Sequence, residues 1–301
     1  MTQKNKKTFT WSRSGALGDC IMTFNLLKNF REKHPGAKVV YKCHPKVAEI
    51  LHDLVFQMGF DHIITDVNQA FGEQINLVGY PVNFENPKLG HPWVPMKRHL
   101  IEYFADELGV APDFNSLVLP KPKPVMDGPY VTMHVKTLFS HYKDWPLEKF
   151  NDLAWRLKQE DIKVLQVGGP NDPEIPNAFG RIKVTNGPDQ PRVLFNTNLA
   201  AIAHSRLHIG LDSFASHLLN VQWDGGERVP GLILWGSSSV KATGYPTNTN
   251  MSLNLPCAPC FREDPAVSDS FTEPCPIDHK CMKELTVDSV HERVYQMLRF
   301  S

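Results

Sequence analysis

The stretch Leu207-His208-Ile209-Gly210-Leu211-Asp212-Ser213-Phe214-Ala215-Ser216-His217-Leu218 decides how the chain is read. It has the form of a short buried strand, a tight turn and the first turn of a helix. Gly210 permits a sharp backbone turn, and Asp212 or Ser213 is a good N-cap. A helix N-terminus presents unpaired N–H groups and a partial positive charge, so such a corner can hold a phosphate. An ordinary strand-to-helix corner with a capping aspartate has the same residues, so the companions elsewhere in the chain must separate the two.

Outward from this corner the pattern alternates. Helical spacing covers 194–204 and 214–221, and apolar strands are expected at 208–211 and 231–235. Upstream, 130–135 and 163–167 are expected as strands around a helix at 146–159. The first half repeats the scheme. Strands are expected at 8–13, 38–42 and 62–65, with helices at 19–33 and 47–58. Ile21, Phe24, Leu27 and Phe30 share one face of the first helix, and Pro35-Gly36 stops it. A proline-rich irregular stretch occupies 87–95, and 99–108 is helical. Pro120-Lys121-Pro122-Lys123-Pro124 resists helix and central strand alike and is the linker. A final amphipathic helix spans 287–298. Strands alternating with helices imply parallel sheets with crossovers. The expected class is α/β, with one doubly wound half over 1–125, a second over 126–285 and a C-terminal helix over 286–301.

Composition limits the function. The 301 residues carry 32 basic and 32 acidic side chains, so no net field draws nucleic acid. A hydrophobic content of 42% and a charged content of 21% suit a globular protein. Lys4, Lys6 and Lys7 read as a solvated tip. No apolar run is long enough to cross a bilayer, and the N-terminus lacks a signal-peptide core, so a cytoplasmic protein is expected.

Three more segments could carry chemistry. Ser14-Gly15-Ala16-Leu17-Gly18-Asp19 follows the first strand. It is neither a dinucleotide fingerprint nor a P-loop, but its two glycines let a ligand come close to the backbone. Asp19 at the helix start is an N-cap or a catalytic carboxylate. His141-Tyr142-Lys143-Asp144-Trp145-Pro146 precedes a helix with Pro146 at its first position. A lysine there opposes the helix dipole, and an anionic ligand between them would resolve the conflict. Gly168-Gly169-Pro170-Asn171-Asp172 follows a strand of the second half. In doubly wound sheets, ligands bind at the carboxyl ends of the strands, which places all these segments along one cleft. His134, His141, His204, His208 and His279 are most simply structural, Cys20 a small buried residue, and Trp11 and Trp235 core or cleft aromatics.

The segments Gly15–Asp19, Lys143–Pro146, Gly168–Asp172, Gly210–His217 and Trp235-Gly236-Ser237-Ser238-Ser239 occur in this order. Together they resemble the ADP-heptose–lipopolysaccharide heptosyltransferases, glycosyltransferase family nine. The resemblance implies two Rossmann-like domains in the GT-B arrangement, the first on the acceptor side, and inversion at the anomeric carbon without a catalytic metal. No Asp-x-Asp pair is present, consistent with that. Carried over, Asp19 is the general base for the acceptor hydroxyl. Lys143 neutralises charge on the leaving nucleotide diphosphate. Gly18 lies beside the donor, and the N–H groups of Ser213, Phe214 and Ala215 hold its diphosphate. Asp212 contacts the donor sugar, His217 supports that loop, and Asp172 accepts from a ribose hydroxyl. The chain departs from the family in Ser213-Phe214, where Thr-Gly is usual, and in Asp172, where Glu is expected. It is also somewhat short, so the acceptor part of the first half is expected to be trimmed. The implied donor is a nucleotide sugar, foremost ADP-heptose. The acceptor is a glycan, a lipid-linked lipopolysaccharide precursor or a protein hydroxyl, with peripheral membrane contact and homo-oligomers left open. A rival reading is an inactive binding or scaffold protein of the same fold, and a weaker third is a nicotinamide dehydrogenase.

Four of the six cysteines cluster as Cys257-x-x-Cys260, Cys275 and Cys281. In a reducing compartment this suits a closed tetrahedral thiolate site for structural zinc or iron. In family relatives that heptosylate autotransporter proteins, such a cluster holds iron. The acidic loop 261–274 is expected to need this staple.

Overall fold

A computed structural model describes residues 6–77, 98–138, 140–184, 187, 189–262 and 274–299. The proline-rich stretch at 87–95, Lys4 and most of the 261–274 loop lie outside the described residues. In the first half, β1 (Thr8–Ser12), β2 (Lys38–Lys42), β3 (His62–Ile64) and β4 (Glu73–Asn76) form a parallel sheet in the order β3-β2-β1-β4. Their crossovers carry α1 (Leu17–Phe24), α2 (Leu27–Lys33) and α3 (Pro45–Gln57), and α4 (Leu100–Leu108) follows.

The second half has β6 (Val131–His134), α5 (Leu147–Gln159), β7 (Val164–Val167), β8 (Gly180–Arg181), α6 (Gln190–Ala203), β9 (His208–Leu211) and α7 (Phe214–Leu218). After these come β11 (Gly231–Leu234), α8 (Val240–Thr243), β12 (Thr249–Met251), α9 (Lys280–Lys283) and α10 (Val287–Arg299). The six strands are parallel in the order β12-β11-β9-β6-β7-β8. Numbered within this half, that is the Rossmann order, reversing between its first and fourth strands. Just before the linker, β5 (Val118–Leu119) pairs in parallel with β10 (Gln222–Trp223) and stitches the first half to the second.

Every residue of β6, β7, β9 and β11 is buried, as expected for strands covered on both faces. In the first half Phe9, Trp11 and Phe30 interlock edge to face at 5.0 Å between rings, a geometry favoured by the ring quadrupoles. That core runs on without a break into Phe195, Ile202 and Leu218 of the second half. A separate core on the far face of the second sheet takes Val290 and Val294 of α10, so the last helix packs within this layer.

Three differences from the sequence expectation have clear causes. The helix expected over 19–33 is two helices, broken at Asn25-Leu26. The Asn25 carbonyl accepts from Ser116, and its side-chain oxygen accepts from Asn220 of the second half at 3.0 Å. The interruption thus anchors the halves to each other. Strands β4, β5, β8, β10 and β12 have two to four residues each, too few to show a period. Helix α5 starts at Leu147, one position after the expected start, because Pro146 has an extended ψ of 134° and serves as the N-cap. No helix among the described residues is long and apolar enough to cross a membrane.

Candidate active site

The chain reverses sheet order beside β1 in the first half and between β6 and β9 in the second, and the carboxyl ends of these strands face each other. The cleft between them encloses about 1130 Å³, ample for a nucleotide sugar. One wall is Ser12 to Asp19 with Lys42, His44 and Asn76. The other carries His134, Lys136, Thr137, Lys143, Asp172, Asp212, Ser213, Phe214 and His217.

Asp19 is not the N-cap of α1 but closes its capping box. Ala16 is the N-cap, and Asp19, at the third helical position, accepts the Ala16 N–H on Oδ2 at 3.2 Å. The same oxygen pairs with Arg13 Nη2 at 3.1 Å. Arg13 is buried, donates to the Leu77 carbonyl and lies over the Phe104 ring. Sequence reasoning passed over this arginine as the end of a strand. A charge closing an apolar strand immediately before a glycine loop was the available signal.

On the opposite wall Lys143 Nζ lies 2.8 Å from Asp212 Oδ2. The conflict between a lysine and a helix start is therefore met inside the protein by the Asp212 carboxylate. Lys143 itself ends a 3-10 turn, His141–Lys143. Asp212 is only 6% exposed, and Thr243 donates to its Oδ1 at 3.1 Å. Burial opposes its charge, but Lys143 and then His217 outweigh it and hold the carboxyl below the ordinary range. Burial likewise lowers the His217 imidazole, with Asp212 and Asp19 pulling the other way. His217 Nδ1 pairs with the Tyr245 hydroxyl at 3.1 Å.

Ser213 is the N-cap of α7 by position, but its side chain makes no cap bond. Its hydroxyl pairs instead with His134 Nδ1 at 2.8 Å, and His134 Nε2 lies 3.7 Å from Asp172 Oδ2. Asp172 also accepts the Gly169 N–H at 2.8 Å. His134, taken from sequence as merely structural, is thus the bridge between the turns that carry Asp172 and Ser213. The Phe214 ring packs edge-on against it at 5.2 Å. Ala215 is fully buried and does not line the cleft. With Gly18 the reason for the residue type is visible. A Cβ there would sit 2.6 Å from His217 Cδ2 and 2.8 Å from Nε2, so only glycine lets α1 and α7 meet. Lys136 and Thr137 were also missed. Asp144 pairs with Lys136 and accepts from both the N–H and hydroxyl of Thr137.

The four cysteines lie within electrostatic reach of one another beside this wall. Burial first, then Cys260, Cys275 and Cys257 nearby, push the Cys281 thiol up to about 11. Cys275 Sγ accepts the His279 N–H at 3.3 Å. Four mutually influencing thiols are the right donor set for zinc or iron. Among the described residues, however, no group of three or more His, Cys, Asp or Glu side chains is already spaced to hold an ion.

Among solved structures, the bacterial iron-containing dodecameric glycosyltransferase TibC from enterotoxigenic E. coli H10407 is 17% identical, with a TM-score of 0.70 over 99% of this chain and 78% of that one. A family 9 glycosyl transferase from Veillonella parvula DSM 2008 is 17% identical, with a TM-score of 0.65 over 100% and 99%. E. coli heptosyltransferase WaaC, solved with ADP-2-deoxy-2-fluoro heptose, is 14% identical, with a TM-score of 0.59 over 96% and 99%. These likenesses establish the GT-B fold. No curated protein sequence matches the chain. The sequence model of glycosyltransferase family 9 (heptosyltransferase) matches residues 61–268, more than half of the chain, and the chain belongs to that family of glycosyltransferases.

Proposed function

We propose that the protein transfers a heptose from ADP-heptose to a hydroxyl with inversion, Asp19 acting as general base. The observation that carries this reading is one cleft holding a carboxylate on its first wall and a lysine-paired carboxylate on its second. Arg13 and the Ala16 N–H both hold Asp19 Oδ2, leaving Oδ1 to take the acceptor proton. A fixed carboxylate at hydrogen-bond distance raises the nucleophilicity of a sugar hydroxyl. Attack from the first wall, opposite the departing diphosphate, inverts the anomeric carbon. Lys143 neutralises charge on that diphosphate, the work a divalent cation does elsewhere, so transfer proceeds without a catalytic metal. Asp172 accepts a ribose hydroxyl, Asp212 orients Lys143 and the sugar, and His217 supports the seam beside Gly18. Solved complexes of TibC with ADP-D-beta-D-heptose and of WaaC with an ADP-heptose analogue support the donor.

The acceptor is a lipopolysaccharide-type glycan or a protein hydroxyl. The cysteine set Cys257, Cys260, Cys275 and Cys281 would hold a structural zinc or iron ion that stitches the loop between them, as its donor chemistry and the iron in TibC support. Assembly into a homo-oligomer is proposed on the dodecameric state of TibC. Calorimetric titration with ADP, GDP, UDP and dTDP, followed by ADP release from ADP-heptose, tests the reading. Selective ADP binding that Lys143→Ala weakens is expected. Binding of none of the four would move the protein to a scaffold role.

A further inference from the structure

The cysteine loop touches the donor wall at one main-chain atom. His279, between Cys275 and Cys281, donates from Nε2 to the Tyr142 carbonyl at 2.7 Å. Tyr142 directly precedes Lys143. The same carbonyl accepts the Ser237 N–H at 3.3 Å, and the Ser237 carbonyl accepts the N–H groups of Cys260 and Phe261 at 3.0 and 2.8 Å. Both arms of the cysteine loop therefore converge on the peptide that carries Lys143. The approach is tight. A Cβ on Gly236 would lie 2.6 Å from the Tyr142 oxygen and 2.7 Å from Met282 Cγ. His279 adopts a left-handed conformation, φ 58°, following Asp278 at φ 50°. That is uncommon for histidine and persists where the surroundings demand it. Its ring stands edge-on to Tyr142 at 5.6 Å, and Tyr142 lies tilted against His141 at 3.9 Å.

We propose that His279 is a positioning residue that latches the His141–Lys143 turn, so that the cysteine loop sets where Lys143 meets the nucleoside diphosphate. The 3-10 turn has only three residues and no side-chain cap; its N-cap residue Ser140 accepts from the Thr137 hydroxyl and donates to the Arg262 carbonyl. Beyond it, the Leu285 carbonyl accepts from Trp145 Nε1 and Lys149, which anchors the chain after the turn. His279 anchors the part before Lys143. The bond joins an imidazole N–H to a main-chain oxygen, so its geometry is set by the loop's own residues. The consequence for nucleotides rests on the donor-site reading of Lys143.

The test uses the full chain with His279→Ala and His279→Gln, the glutamine amide being able to donate to the same carbonyl. Amide exchange over residues 137–146 should quicken in His279→Ala and return toward the native rate in His279→Gln. By calorimetry, ADP should bind about fivefold more weakly to His279→Ala, the loss of one neutral hydrogen bond, while adenosine binds unchanged. On a Lys143→Ala background, His279→Ala should cost no further ADP affinity, since both act through one group. Unchanged exchange overturns the latch. Quickened exchange with unchanged ADP affinity, or equal loss of ADP and adenosine, overturns its role in positioning Lys143. If the native protein binds no nucleoside diphosphate, the donor-site reading fails, and the exchange rates alone then uphold or overturn the latch.

Discussion

Replacing Lys143 with alanine strips a buried carboxylate of its cation, and the structure sets the size and pH dependence of the effect. Lys143 Nζ is 2.8 Å from Asp212 Oδ2, with Asp212 6% and Lys143 27% exposed. Breaking a fully buried pair costs about 3–5 kcal/mol. Here the lysine is partly in water and Thr243 still donates to Asp212, so about 2 kcal/mol is expected, a fall in Tm of about 3 °C for a chain of this length. In the native protein the Asp212 carboxyl lies below the ordinary range. Its charged form therefore adds stability above about pH 5, and that contribution is lost as pH falls through the lowered value. Without Lys143, burial acts with less opposition and the carboxyl moves up, so the charged form is what destabilises the variant. Protonation relieves it. Thermal melts should show the full deficit at pH 8 and a clearly smaller one at pH 5, and adding Asp212→Asn should recover most of the loss at pH 8. A deficit of equal size at both pH values, or none at pH 8, would refute the argument.

Asp19→Asn should slow transfer about 10²–10⁴-fold while ADP affinity stays within about twofold; undiminished turnover removes Asp19 from the chemistry. Gly18→Ala pushes a methyl into His217 and should cost about 1–3 kcal/mol, read as a lower Tm, and an unchanged melting curve would mean that the seam between α1 and α7 is slack. Cys281→Ser should lower the zinc or iron found by elemental analysis from about one per chain; unchanged metal content would place the ion elsewhere.

The α/β class, two doubly wound halves, was legible because it depends on local patterns. Buried strands such as His208–Leu211 are apolar and short, the helices between them keep their 3.6-residue period, and proline and glycine mark their ends. The order of five short motifs identified the family, and the residues named from it, apart from Ala215, line one cleft. Short edge strands stayed hidden because two to four residues, mostly part-exposed, show neither a period nor an apolar run. The break at Asn25 stayed hidden because its partners, Ser116 and Asn220, are about 90 and 195 positions away.

What the sequence by itself determined, then, is which segments turn at strand ends and which residue types stand there. Only the tertiary structure decided whom each charge meets. Asp19 read as an N-cap or a catalytic carboxylate, and folding gave it Arg13. Lys143 read as a cation awaiting a ligand, and folding set it against Asp212, in the turn after β9 and 69 positions on. His134 and His279 read as structural, and folding put one between Ser213 and Asp172 and the other on the Tyr142 carbonyl. The physical reason is the same in each case. Local pattern records what a residue can bury, whereas ion pairs and hydrogen bonds depend on distances of about 3 Å between segments that only the packed sheets bring together.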